Sequence, residues 1–153
     1  MVGSVFQDPK SQFFSSELAG EVAFPCENYG LSAREIRERT DAAIEALQLS
    51  HLKDRAVDVL SSGEKQRAAI ASVYAMKPKA FVCDEPTANL DAAGTRQLAQ
   101  TLRQLKEQGI TLLIAEHRID WLMGIADRFL YLRDGRIAAE YTPVSYTHLR
   151  AHE

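Results

Sequence analysis

Ala80-Phe81-Val82-Cys83-Asp84-Glu85-Pro86-Thr87-Ala88-Asn89-Leu90-Asp91 is a short apolar run that stops on two adjacent acids, a proline and a polar turn. Residues 80–83 read as a buried strand, because the run is short, apolar and bounded by turn residues. Downstream, residues 94–108 place Leu98, Leu102 and Leu105 at helical spacing with Gly109 beyond the end as a C-cap, and residues 110–115 read as the next strand. Upstream, Ser61-Ser62-Gly63-Glu64 is a capping box. It opens a helix carrying Ala68, Ala69, Ile70, Val73 and Tyr74, which Pro78 ends. Strands that alternate with helices predict an α/β fold with a mainly parallel sheet.

The same alternation extends to both ends. Residues 2–6 read as a first buried strand that directly follows Met1, with no turn or cap before it, so the N-terminus is expected to be a cut within a fold. A polar loop with Gly20, Pro25 and Gly30 follows, and Ser32-Ala33-Arg34-Glu35 caps a helix with Ile36, Ala43, Ile44 and Leu47 on its apolar face. The stretch 16–50 lacks strands, and residues 16–75 are expected to form a small helical lobe. Residues 119–126 predict a short helix, and two strands, 129–132 and 136–141, flank the Asp134-Gly135 turn of a hairpin. Residues 142–153 show neither period and are expected to be a disordered or non-native tail to a domain spanning 1–141.

Composition narrows the function. At 153 residues and 46% hydrophobic, the chain can bury a sizeable core, and its net charge of −3 supplies no basic field for nucleic acid or anionic lipid. No apolar run approaches the roughly 20 residues of a membrane-spanning helix. Cys26 and Cys83 form no CxxC pair, so neither a disulfide framework nor a cysteine zinc site is indicated.

Each apolar strand is followed by polar groups: Gln7-Asp8-Pro9, Asp84-Glu85-Pro86 and Glu116-His117. Singly, each fits a wet loop. In a parallel sheet, however, the carboxyl ends of the strands line the ligand crevice, so the three sets meet at one edge. A carboxylate there can hold Mg²⁺ through its water shell, and a second beside it can polarise an attacking water.

With Asp-Glu-Pro-Thr followed by Asn89-Leu90-Asp91, the stretch resembles the Walker B motif and D-loop of the ATP-binding-cassette (ABC) ATPases. Leu60-Ser61-Ser62-Gly63-Glu64-Lys65-Gln66-Arg67 is similar to that family's LSGGQ-type signature, departing at Ser62, where glycine is usual, and at Glu64, where glutamine is usual. A helix N-terminus with a serine hydroxyl and a close-approach glycine suits a phosphate. Gln7 matches the Q-loop and His117 the switch histidine, and all five elements stand in the family's order. The resemblance implies a partial P-loop NTPase, an ABC nucleotide-binding domain, that uses ATP and Mg²⁺. In it Glu85 is the catalytic base, Asp84 and Gln7 serve the metal and attacking water, and His117 contacts the γ-phosphate. Ser61, Ser62, Gly63 and Glu64 reach ATP held by a second ABC ATPase subunit, and Asp91 lies at that dimer interface.

No glycine in the chain is followed by lysine, so the phosphate-cradling G-x-x-x-x-G-K-[ST] loop is not among these residues. The resemblance therefore implies the C-terminal part of such a domain, inactive alone. Gln12-Phe13-Phe14, Glu21-Val22-Ala23-Phe24 and Glu27-Asn28-Tyr29-Gly30 look like the ATPases of energy-coupling-factor importers of vitamins or metal ions. Expected partners are integral membrane transporter subunits at the cytoplasmic face, with no nucleic acid. The Glu64-Lys65 pair also resembles chromosome-maintenance and DNA-repair heads, but no sustained heptads accompany it. Two further readings stay open, a ribosome-associated cassette and a non-enzymatic half-domain.

Overall fold

Three apolar runs pair side by side in parallel: β1 (Val2–Val5), β2 (Ala80–Asp84) and β3 (Thr111–Ala115), in the order β1-β2-β3. The computed structural model describes residues 1–5 and 13–150, the last four of these as backbone only. Val5 lies opposite Cys83, Cys83 opposite Ile114, and Asp84 opposite Ala115. This register levels the carboxyl ends of the three strands.

Because side chains alternate along a strand, Gly3, Val5, Phe81, Cys83, Leu112 and Ile114 share one face. Val5, Phe81 and Cys83 are fully buried on it. Two helices cover this sheet: α3 (Ser62–Tyr74) packs on β1, α4 (Ala92–Glu107) on β3, and the two helices on each other. Ile70 of α3 and Leu98, Leu102 and Leu105 of α4 are buried in the resulting core. Gly3 allows the close approach of β1 to α3, since a Cβ there would stand 2.0 Å from Val73 Cγ1.

Side chains write the starts of three helices. Ser32 caps α2 (Ala33–Ala46) by accepting from the Glu35 amide, and Asp91 caps α4 by accepting from Gly94 N–H at 2.7 Å. At α3 the cap is reciprocal: Ser61 Oγ accepts from Glu64 N–H at 3.3 Å, and the Glu64 carboxylate accepts from Ser61 N–H at 2.8 Å. Gln108 is the C-cap of α4, and Gly109 follows it at φ 85°, a left-handed conformation that glycine adopts without cost.

The expected polar loop around Gly20 and Pro25 is instead a helix, α1 (Leu18–Asn28). Leu18, Val22 and Cys26 recur every fourth residue and are wholly buried, which makes this an amphipathic stripe despite Pro25. No side chain caps α1. Its first amides are satisfied from a distant segment, Leu18 N–H by Arg55 O and Ala19 N–H by Lys53 O, both at 3.0 Å. The helices α1, α2 and α3 pack against one another.

Two compact units comprise Met1–His117 and Arg118–Glu153. In the second, the expected helix over 119–126 reduces to a 3₁₀ turn, Asp120–Leu122, followed by further turns. Strands β4 (Phe129–Arg133) and β5 (Arg136–Tyr141) form the expected hairpin, with Asp134 and Gly135 both at positive φ as such a turn requires. Within the segment expected to be a disordered or non-native tail, residues 143–150 form a helix, α5 (Pro143–Arg150). Thr142 Oγ1 accepts from Ser145 N–H, Ser145 Oγ accepts from Thr142 N–H, and Pro143 takes the first helical position, where its missing N–H costs nothing. Tyr146 of α5 meets the rings of Phe129 and Tyr141. Among the described residues no helix is long and apolar enough to cross a membrane.

These contacts make stability testable at two points. Gly3→Ala is expected to cost roughly 1–3 kcal/mol in urea unfolding, by overpacking against a β-branched side chain, and Val73→Ala in the same protein should recover most of the loss. The Ser61 amide, bonded to the Glu64 carboxylate, holds that group below the usual glutamate range. Its stabilising contribution is therefore present above the ordinary glutamate pKa of about 4.3 and lost as pH falls through the lower folded value. Glu64→Gln keeps an acceptor without the titration, so its melting temperature should fall less than the wild type's between neutral and acid pH.

Candidate functional site

The ladder between β2 and β3 runs one residue past Asp84, where Glu85 N–H donates to Ala115 O at 2.9 Å. Glu85 then turns the chain, with φ at 43°, a left-handed conformation that costs a non-glycine residue about 1–2 kcal/mol. Ala88 N–H bonds Glu85 O and Leu90 N–H bonds Thr87 O, both at 3.1 Å, so two successive turns carry the chain to the α4 cap at Asp91.

This turn puts the Glu85 carboxylate against His117: Oε1 and Nε2 are 2.9 Å apart. The histidine ring is 86% exposed and the carboxylate 30%, so the pair is open to a ligand on the histidine side and shielded on the other. A carboxylate within hydrogen-bond distance of an imidazole at the rim of a sheet can take a proton from water while its partner reaches a second group. Asp84 is exposed at the end of β2, one residue before the pair. Cys83, on the buried face beside it, is pushed by burial up to about 12 and stays a neutral thiol.

Behind His117 lies a second link. Thr87, wholly buried, donates both its N–H and its hydroxyl to Glu116 Oε1, while Glu116 Oε2 accepts from His117 N–H at 3.0 Å. Sequence reasoning gives a role to His117 and none to Thr87 or Glu116. The adjacent acid at a strand end is visible, but its partner lies 29 positions away.

The candidate phosphate site is the start of α3. Ser61 and Ser62 are exposed, and Gly63 sits where a Cβ would come within 3.8 Å of the Gly94 Cα, so the N-termini of α3 and α4 lie side by side. Ser61 Oγ accepts one bond in the cap, from the Glu64 amide. Glu64 commits its carboxylate to the Ser61 amide, and Asp91 commits its own to Gly94. Both are helix caps first. Gln7 lies outside the described residues.

Among the described residues no group of three or more His, Cys, Asp or Glu is arranged to hold a metal ion. A single strand-end carboxylate suits Mg²⁺ nonetheless. This ion keeps most of its waters and uses one or two carboxylates together with substrate phosphates, and exposed Asp84 supplies a hard oxygen of that kind.

The profile of the ABC transporter family matches residues 1–88, more than half of the chain. The cobalt import ATP-binding protein CbiO of Rhodobacter capsulatus is 43% identical over 139 residues, which cover 91% of this chain and 50% of that protein. The structure of cbiO1 from Clostridium perfringens, part of the ABC transporter complex cbiONQ, superposes with a TM-score of 0.90 at 39% identity, over 97% of this chain and 60% of that one. A dimeric ATP-binding cassette in a post-hydrolysis state, bound to ADP and Pi, gives a TM-score of 0.76 at 27% identity, over 93% of this chain and 62% of that one. The chain spans about a quarter of the length of several other curated relatives, between 24% and 29%. The strand-end acids, the capped signature-like helix and these likenesses agree: the chain belongs to the ABC transporter family and carries part of its ATP-binding α/β domain.

Proposed function

We propose that this chain provides the hydrolytic edge of an ATPase that powers a membrane importer. The observation that carries the reading is the 2.9 Å contact between Glu85 and His117 at the carboxyl end of the parallel sheet. Glu85 accepts the proton of the attacking water, and His117, exposed beside it, donates to the γ-phosphate when nucleotide is bound. Asp84, with Gln7, would hold Mg²⁺, which when bound neutralises charge on the phosphates. The chain's own donors do the remaining work. Ser61 hydroxyl and the amides that open α3, with Ser62 and Gly63 exposing them, bind the γ-phosphate of a nucleotide held by a second such subunit. Glu64 orients Ser61 through the cap. Asp91 fixes the start of α4 beside Gly63 and faces the same partner.

The relatives named for cobalt import and for the cbiONQ transporter complex support metal-ion uptake as the process powered. Integral membrane subunits as partners, a peripheral position on the cytoplasmic face and vitamins as alternative cargo belong to the same proposal. The 153 residues contain no phosphate-cradling lysine loop, and binding of the β- and γ-phosphates requires one. Hydrolysis by these residues alone is therefore negligible.

The test compares this chain with the whole product of its gene. The chain alone should show no Mg²⁺-dependent phosphate release above buffer. In the whole product, Glu85→Gln should lower kcat by about 10²–10⁴-fold, the range for removing a general base, with ATP binding retained. Turnover that survives Glu85→Gln would overturn the assignment.

A further inference from the structure

The Glu85–His117 pair joins two side chains from different strands, and exposed pairs of this kind lose side-chain entropy to stay together. Something must hold the two backbones in place. The carboxylate of half-buried Glu116 does so. Its Oε1 takes the N–H and the hydroxyl of Thr87, two residues after Glu85, and its Oε2 takes the N–H of His117. One side chain thus ties the turn that carries Glu85 to the residue that carries the imidazole.

We propose that Glu116 is a positioning residue for the hydrolytic pair, acting through Thr87 and the His117 backbone without touching substrate. This rests on the reading of Glu85 and His117 as that pair. The chemistry demands a carboxylate. Three protein donors converge on the two oxygens, and only an ionised carboxylate accepts at both. A glutamine offers one carbonyl oxygen, and its amide would set a donor against either the His117 N–H or the Thr87 hydroxyl and amide. The burial of Thr87 adds to the constraint, because a hydroxyl left without an acceptor there is costly. The backbone bond from Glu85 N–H to Ala115 O closes the other side, so the turn after β2 is gripped on both sides of its left-handed residue.

The test has two readouts. In this chain, amide hydrogen exchange at Thr87 and His117 reads the link itself and should quicken in Glu116→Gln. In the whole product of the gene, Glu116→Gln should lower kcat roughly ten- to a hundredfold with KM for ATP unchanged, the range for losing a group that orients a reacting one. Thr87→Val should shift kcat in the same direction by less, since its N–H remains, and Thr87→Ser should retain the wild-type rate. The double variant Glu116→Gln/Thr87→Val should be no slower than Glu116→Gln alone. Glu85→Gln serves as the control. If it abolishes turnover while Glu116→Gln and Thr87→Val keep the wild-type kcat, the positioning role is overturned and the hydrolytic assignment stands. If Glu85→Gln itself turns over normally, both are overturned. Should Glu116→Gln lose its fold, the contrast between Thr87→Val and Thr87→Ser decides by the same kcat comparison, equal rates counting against the role.

Discussion

One backbone hydrogen bond, from the Glu85 amide to the Ala115 carbonyl, organises the carboxyl edge of the parallel sheet. It continues the parallel ladder one step beyond the last strand pair, Asp84 opposite Ala115. Without that step the chain would leave the sheet at Asp84, and Glu85 would have no fixed direction. With it, the next residue on each strand, Glu85 on one and Glu116 on the other, is held at the rim. Everything proposed for catalysis hangs from this extension: the carboxylate facing His117, the turn through Thr87, and the entry into α4 at Asp91.

The second organising element is the pairing of helix starts. Helices α3 and α4 begin side by side, with glycines at the point of contact, and each is opened by a short polar side chain that satisfies a first-turn amide. Such starts concentrate partial positive charge and unpaired N–H groups in one area. The capping carboxylates of Glu64 and Asp91 offset part of that charge locally. A single surface can therefore be both a well-capped pair of helices and a receptor for phosphate.

Much of this was legible in the sequence, because the signals were local. The strand at 80–84, its acidic end, the capping boxes at Ser32 and Ser61, and the hairpin around Asp134-Gly135 each depend on residues within four or five positions of one another. Helix α1 was not legible because its first amides find their partners at Lys53 and Arg55, a tertiary solution that no N-cap residue announces. Pro25 and Gly20 argued for a loop, and burial of Leu18, Val22 and Cys26 outweighed them. Helix α5 did announce itself, through Thr142, Pro143 and Ser145, but its sequence lacks the apolar stripe that the eye seeks first. For the site, the acid pair and His117 were visible by motif. The Thr87–Glu116 link spans two strands, and only their register reveals it.

The left-handed backbone at Glu85 has a further consequence. At such a torsion the most comfortable residue is glycine, and glycine has no carboxylate to offer. Fold stability and the hydrolytic role proposed for Glu85 thus ask for different residues at one position. Substitutions that relax the turn would make a sturdier protein with a weaker chemical edge, so a screen for thermal resistance alone would drift away from activity at this residue.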